Sequence, residues 1–451
     1  MKHLTLNQYR ARTENINRAE LENRSYLRRH RIREYLPGQV IYNLGEYPAR
    51  FSIRPTEYDY ELIKSLSARG VGLIQLHEEW NDSQRLLGAD KYTSHDPEGL
   101  RAFIKLCHSF GIKVLPYISS GFFDWRDPDF TERFSTNGVH ELNAFYYRYR
   151  CCDPASPDWN AYLLPKLERI FDEYEFDGLY NDMGYGCSNA PEFGYLDYDP
   201  ALEDLLARIY TMVKSRGGIV KIHQGQCVAP KTQERVYDYL WVGECVRSAS
   251  DLLQTAQFDP YVIVNPDFRF LQGATEESLY AMAIPMMQFL LRVDGRPVTG
   301  ERAAVPGVSY VNNPGNNETL HYECIKQWYE SHPNGPHVYS EWSAIPDDPV
   351  MRERWFDYLA LYRPMVEEDS LAYLALRDCD AILSPLSQSV CASMFVNEET
   401  YLVVSNLADA DYSLQLREPW IDRQSGVVSN HFTLKKNQIR FLRKQRKGNS
   451  I

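Results

Sequence analysis

Two carboxylates follow apolar runs of strand length. Asp182 ends the run Phe176–Asn181, and Glu244 follows Gly243 after Tyr239–Val242. A group just past such a run stands at the C-terminal end of a strand. Cleavage of a glycosidic bond needs a pair of this kind: one carboxyl protonates the leaving oxygen, and the other attacks the anomeric carbon or activates water. A separation of about 5 Å gives retention, and about 6.5–9.5 Å gives inversion. Plainer roles stay open on sequence alone. Asp182 could cap a helix or accept structural hydrogen bonds, and Glu244 could pair with Arg247.

Other polar residues follow further apolar runs. His77, Glu79 and Trp80 come after Val71–Leu76, Asp153 after Tyr146–Cys151, Tyr185 after Asp182, and His223 and Gln224 after Ile219. Charged, amide and imidazole groups suit hydroxyl recognition, because hydroxyls stripped of water must be hydrogen-bonded. His77, Glu79, Asp153, Tyr185, His223, Gln224 and Arg247 are the candidates. Trp80, Trp125 and Trp241 are candidates to stack on a sugar face. His77, Glu79 and His223 could instead converge on a metal, which would make the chain a metal-dependent hydrolase. No paired Cys-x-x-Cys sets occur, and Asp124, Asp127 and Asp129 lack the order of a calcium loop, so no metal and no cofactor are expected.

The elements that must position these groups alternate. Helix-like stretches Tyr58–Arg69, Pro97–Phe110, Asp158–Tyr174 and Pro200–Ser215 separate the apolar runs, and Tyr261–Val264 is one more run. An eighth falls at Met286–Val293 or at Gly307–Tyr310. Seven or eight β-then-α units over roughly 250–300 residues predict a (β/α)8 TIM barrel, whose strand C-termini face the active site. The first run ends in His77, Glu78, Glu79 and Trp80 without a glycine-rich phosphate loop, which disfavours a doubly wound sheet. After residue 370, short β-prone pieces separated by Asn, Asp and Gly predict a small all-β sandwich. The expected α/β domains are an N-terminal arm or helical extension over 1–55, a catalytic barrel over 56–368 and a β-sandwich over 369–451.

Composition narrows the partners. The 451 residues carry a net charge of -12, which argues against a nucleic-acid partner. The basic run from Lys435 to Lys447 reads as a solvated tail. Tyrosine is abundant, with 32 residues, and favours sugar contact slightly. Nine irregularly spaced cysteines fit free thiols in a reducing compartment. The first residues lack the apolar core of a signal peptide, and no run of 18 apolar residues occurs. A cytoplasmic protein without membrane contact is expected, with an oligosaccharide or glycoside as partner and a homo-oligomer possible.

The segment Asp177, Gly178, Leu179, Tyr180, Asn181, Asp182, Met183 resembles the fourth strand of the family 31 α-glucosidase and α-xylosidase group. There the pattern is Gly, apolar, Trp, any residue, Asp, Met. Tyr180 holds the Trp position, and Asp182 matches the nucleophile. In that group and the related α-galactosidase clan, an acid/base carboxylate follows strand six. Its family 31 context is Trp, any residue, Gly, Asp, and this chain has Trp241, Val242, Gly243, Glu244. A Glu replaces the Asp, and Gly184 and Tyr185 stand where the family has Asn and Glu. The resemblance implies a retaining glycosidase acting on an α-linked sugar, with Asp182 as nucleophile and Glu244 as acid/base. A carbohydrate-binding barrel without turnover is the alternative.

Overall fold

The computed structural model describes residues 4–44, 52–76, 80–81, 92–124, 127–135, 141–142, 149–182, 200–224, 232–243, 260–265, 275–296 and 349–445. The chain divides into two compact units. One holds Gly38–Gly243 and Leu291–Arg352, and the other holds Met1–Pro37, Glu244–Leu290 and Glu353–Ile451.

The unit that begins at Gly38 is built on parallel strands. Arg292–Gly295 pairs with Gln39–Asn43, which pairs with Leu73–Leu76, which pairs with Lys113–Leu115. The chain passes Pro116 and continues as Tyr117–Ser119, beside Gly178–Asp182, then Ile219–Gln224, then Tyr239–Gly243. Proline has no N–H to give a ladder, but the Pro116 carbonyl still accepts from Tyr180 N at 2.9 Å. Seven parallel strands therefore lie in unbroken order. Between them run the helices Glu57–Ala68, Pro97–Ser109, Pro157–Glu173 and Pro200–Ser215. Their starts are fixed by side chains that accept from otherwise orphaned N–H groups: Thr56, Asp96 and Ser156. Their apolar faces, such as Leu100, Phe103, Ile104 and Cys107, are buried.

The sheet is strongly curled. Three strands separate those of Gln39 and Lys221. On a flat sheet, at about 4.8 Å per strand, those two strands would stand about 19 Å apart. Lys221 Nζ nonetheless donates to Gln39 Oε1 at 3.1 Å. Tyr42 marks the other face: it bonds Asp59 and packs on Phe103, both on helices. Alternation from the strand registers then puts Gln39, Gln75, Tyr117, Ser119, Tyr180, Asp182, Lys221, His223, Tyr239 and Trp241 on the concave face.

Two sequence expectations change here. Tyr149–Cys151 is not a strand of the parallel run. It pairs antiparallel with Phe122–Asp124 and Glu141–Leu142 in a separate small sheet. Its place is taken by Gln39–Asn43, of which the sequence shows Val40–Tyr42 as a short strand within the expected N-terminal arm. All five of those residues are buried, but the polar Gln and Asn at its ends hid its length. Residues 232–236, ahead of the strand Tyr239–Gly243, form no helix. Gly307–Tyr310 lies outside the described residues.

The second unit holds a parallel pair, Val262–Asn265 with Gln288–Leu290, joined through the helix Glu276–Ala283. It also holds a seven-stranded antiparallel sheet. Its order is Asn23–Arg31, Leu371–Cys379, Val390–Val396, Thr400–Asn406, Ile439–Lys444, Tyr412–Asp422, Val428–Leu434. Hydrogen bonds join these strands into one continuous sheet. The N-terminal segment belongs to it: Asn23–Arg31 is an edge strand, and Ala19 of the helix Leu6–Glu22 enters a core with Tyr373, Met394, Leu402, Leu414 and Trp420. Buried Arg12 fixes the helix, bonding Glu398 at 3.0 Å and the Glu368 carbonyl at 3.1 Å.

Candidate active site

Asp182 is the last residue of the Gly178–Asp182 strand. The strand can lie this close to its neighbour because Gly178 has no side chain. Its φ is +146°, and a Cβ there would sit 1.9 Å from the Ile219 carbonyl oxygen. The neighbouring Asn181 is buried and ties the strand end to Ser120: its Oδ1 accepts from Ser120 N at 3.1 Å, and its Nδ2 donates to Ser120 Oγ at 2.8 Å.

Both Asp182 oxygens are engaged. Tyr117 donates its hydroxyl to Oδ2 at 2.7 Å, and His223 Nδ1 contacts Oδ1. The carboxylate keeps 14% of its surface exposed, while the imidazole keeps 3%. Tyr117 reaches Asp182 from the adjacent strand on one side, and His223 from the adjacent strand on the other. The three groups converge because the inward phase of each strand is in register: Ser119 is opposite Asp182, and His223 is opposite Trp241. Donors aimed at a carboxylate favour its ionised form. An ionised, oriented carboxylate at a strand end can act as a nucleophile or can steer the imidazole it touches.

An aromatic floor supports the pair. Trp241 is buried, edge-on to His223 at 4.0 Å between ring centroids. Tyr180 packs against Trp241, His223 and Tyr117 at 5.5, 6.2 and 5.8 Å. Beneath His223 on the same strand lies Lys221, fully buried, with its Nζ 5.8 Å from the centre of the Tyr180 ring. Burial pushes its amine well below the ordinary lysine range.

The sequence-predicted residues divide into three groups. Asp182, His223 and Trp241 come together, although Trp241 offers its ring to His223 rather than an open face. Trp80 and Asp153 do other work. Trp80 is fully buried, donates to the Tyr117 carbonyl at 2.9 Å and packs on Tyr174 and Phe176, so its ring is a core element and not a stacking surface. Asp153 accepts from Ala155 N at 2.9 Å in the turn before Pro157–Glu173. His77, Glu79, Trp125, Tyr185, Glu244 and Arg247 lie outside the described residues, as does the side chain of Gln224 at its strand end. Sequence reading missed Tyr117, Ser119 and Lys221. Period-two alternation back from the strand ends was the signal that could have found them. Among the described residues no His, Cys, Asp and Glu cluster could hold a metal, and no helix is long and apolar enough to cross a membrane.

No protein-family model matches this chain, and no curated protein sequence matches it. Solved structures do. A putative α-amylase from Salmonella typhimurium superposes with a TM-score of 0.54 at 13% identity, covering 92% of this chain and 83% of that one. The α-amylase of Geobacillus thermoleovorans, solved with acarbose, gives 0.52 at 10% identity over 91% and 97%. The GH36 α-galactosidase AgaA of Geobacillus stearothermophilus gives 0.51 at 12% identity over 90% of this chain but only 55% of its own. These neighbours do not single out the family 31 group. The chain thus has a fold similar to that of α-amylase and GH36 α-galactosidase structures.

Proposed function

We propose that this protein is a retaining glycoside hydrolase that acts on an α-linked sugar, with Asp182 as nucleophile and Glu244 as acid/base. The observation that carries the reading is the Asp182 carboxylate, held at a parallel-strand terminus by Tyr117 and His223, in a fold shared with α-amylases and an α-galactosidase. Closure into a (β/α)8 barrel is part of the proposal. It is supported by the seven consecutive parallel strands and their strong curl.

In the proposed reaction, Glu244 protonates the leaving oxygen while Asp182 attacks the anomeric carbon. Glu244 then takes a proton from the water that hydrolyses the glycosyl-enzyme. His77, Glu79, Tyr185, Gln224 and Arg247 would bind hydroxyls, and Trp125 would stack.

The test is a screen of aryl α- and β-glycosides with wild type, Asp182→Ala and Glu244→Ala. The proposal expects α-glycoside cleavage that both variants reduce by several orders of magnitude. It also expects partial rescue of Asp182→Ala by azide, giving a glycosyl azide of inverted configuration. Undiminished cleavage by Asp182→Ala would remove the nucleophile. Saturable sugar binding without any turnover would favour a carbohydrate-binding protein.

A further inference from the structure

The concave face of the curled sheet carries a fully buried basic group that the proposed reaction does not use. Lys221 is fully buried on the strand that bears His223, two residues before it. Its bond is to Gln39 Oε1, a neutral acceptor on a strand separated from it by three others. Among the described residues no carboxylate pairs with it. Burial alone accounts for the depressed basicity of its amine.

The surroundings are defined by register. One inward row holds Tyr117, Tyr180, Lys221 and Tyr239. The next, toward the strand C-termini, holds Ser119, Asp182, His223 and Trp241. The ionisable groups of these rows are the Asp182 carboxyl, the His223 imidazole, the Lys221 amine and the phenols of Tyr117, Tyr180 and Tyr239. The strand Gln39–Asn43 offers Gln39, and Leu73–Leu76 offers Gln75, both neutral. Among the described residues of these rows, Asp182 is thus the carboxylate facing two buried bases. Two residues of strand separate the rows by roughly 7 Å, and the Tyr180 ring packs near both, 5.8 Å from Lys221 Nζ and 6.2 Å from the His223 ring.

We propose that Lys221 is a positioning residue that sets the protonation of the Asp182–His223 pair from one row beneath it. A proton on Lys221 disfavours a proton on His223 and favours the ionised form of Asp182, because unscreened charges this close interact strongly. The three groups titrate as one coupled unit. The assignment of an activity limb to Asp182 rests on the glycosidase reading. The coupling itself does not.

The experiment follows the His223 imidazole by NMR across pH in wild type, Lys221→Met and Lys221→Gln, beside the pH profile of kcat/KM. Loss of the buried positive charge is expected to raise the His223 midpoint and the acid limb of activity by roughly one pH unit each. A change in thermal stability with both midpoints unmoved would make Lys221 merely structural and overturn the proposal. A second measurement leaves the lysine in place. The Lys221 midpoint should fall in Asp182→Asn, which removes the charge that favours the ammonium form, and an unchanged midpoint would also overturn the proposal. A wild type that cleaves no glycoside, but whose His223 midpoint moves in the Lys221 variants, would reject the glycosidase reading alone.

Discussion

The hydroxyl of Tyr117 lies 2.7 Å from Asp182 Oδ2, on a bond that joins residues 65 positions apart in the chain. It is one half of a clamp whose other half is His223. A carboxylate with both oxygens directed in this way is held in one orientation at the strand end.

Tyr117→Phe tests the clamp. A hydrogen bond to a charged group contributes about 1.5–3 kcal/mol, so its loss should lower kcat by roughly tenfold or more on an activated α-glycoside, with KM little changed. Steady-state kinetics of the purified variant would decide this. An unaltered kcat would show that the bond does not orient Asp182.

Trp80→Phe separates the two roles open to that tryptophan. The substitution leaves the Tyr117 carbonyl without its indole donor and trims a fully buried ring. A loss of about 1–3 kcal/mol in unfolding free energy is expected, with sugar affinity unchanged. Denaturant unfolding and ligand titration measure the two quantities. Weakened sugar binding at unchanged stability would restore the stacking role.

Arg296 gathers the chain around Asp59. It donates to both Asp59 oxygens and to the carbonyls of Leu44, Ser52, Ile53 and Arg54. Burial opposes ionisation of Asp59, but the bonds from Arg296, Thr56 and Tyr42 outweigh it and hold its carboxyl below the usual range. Arg296→Ala strands a buried charge, and about 3–5 kcal/mol of destabilisation is expected. A carboxyl lowered on folding stabilises above its unfolded value and loses that contribution as pH falls through the folded one. The gap between wild type and variant should therefore narrow on acidification below about pH 4. Thermal melts from neutral to acid pH would show it.

Gly178→Ala probes the strand contact that places Asp182. With its Cβ against the Ile219 backbone and φ at +146°, the strand must move or the sheet must open. A loss on the order of 2–4 kcal/mol is expected, together with loss of activity. A soluble variant with wild-type melting temperature would count against the geometry.

The apolar runs at 73–76, 178–182, 219–224, 239–243 and 262–265, and the helices Glu57–Ala68, Pro97–Ser109, Pro157–Glu173 and Pro200–Ser215, were legible from sequence. Burial on both faces makes a parallel strand a short apolar block, and the intervening helices show their own period. The position of Asp182 past such a block was equally legible, as was the resemblance of its segment to glycosidase motifs. Strand membership was less so. Gln39–Asn43 begins and ends with amides, while Tyr149–Cys151 has the texture of a parallel strand but pairs antiparallel.

What the linear order could not decide was which side chains meet. That Trp80 is core, that Tyr117 and His223 grip one carboxylate, and that Lys221 reaches Gln39 all follow from the curl and register of the sheet. The sequence by itself determined the elements and the chemistry they could carry, because periodicity and residue type are local. The tertiary structure alone decided the partners of Asp182, because hydrogen bonding acts over about 3 Å, and only folding brings residues 117, 182 and 223 within that distance.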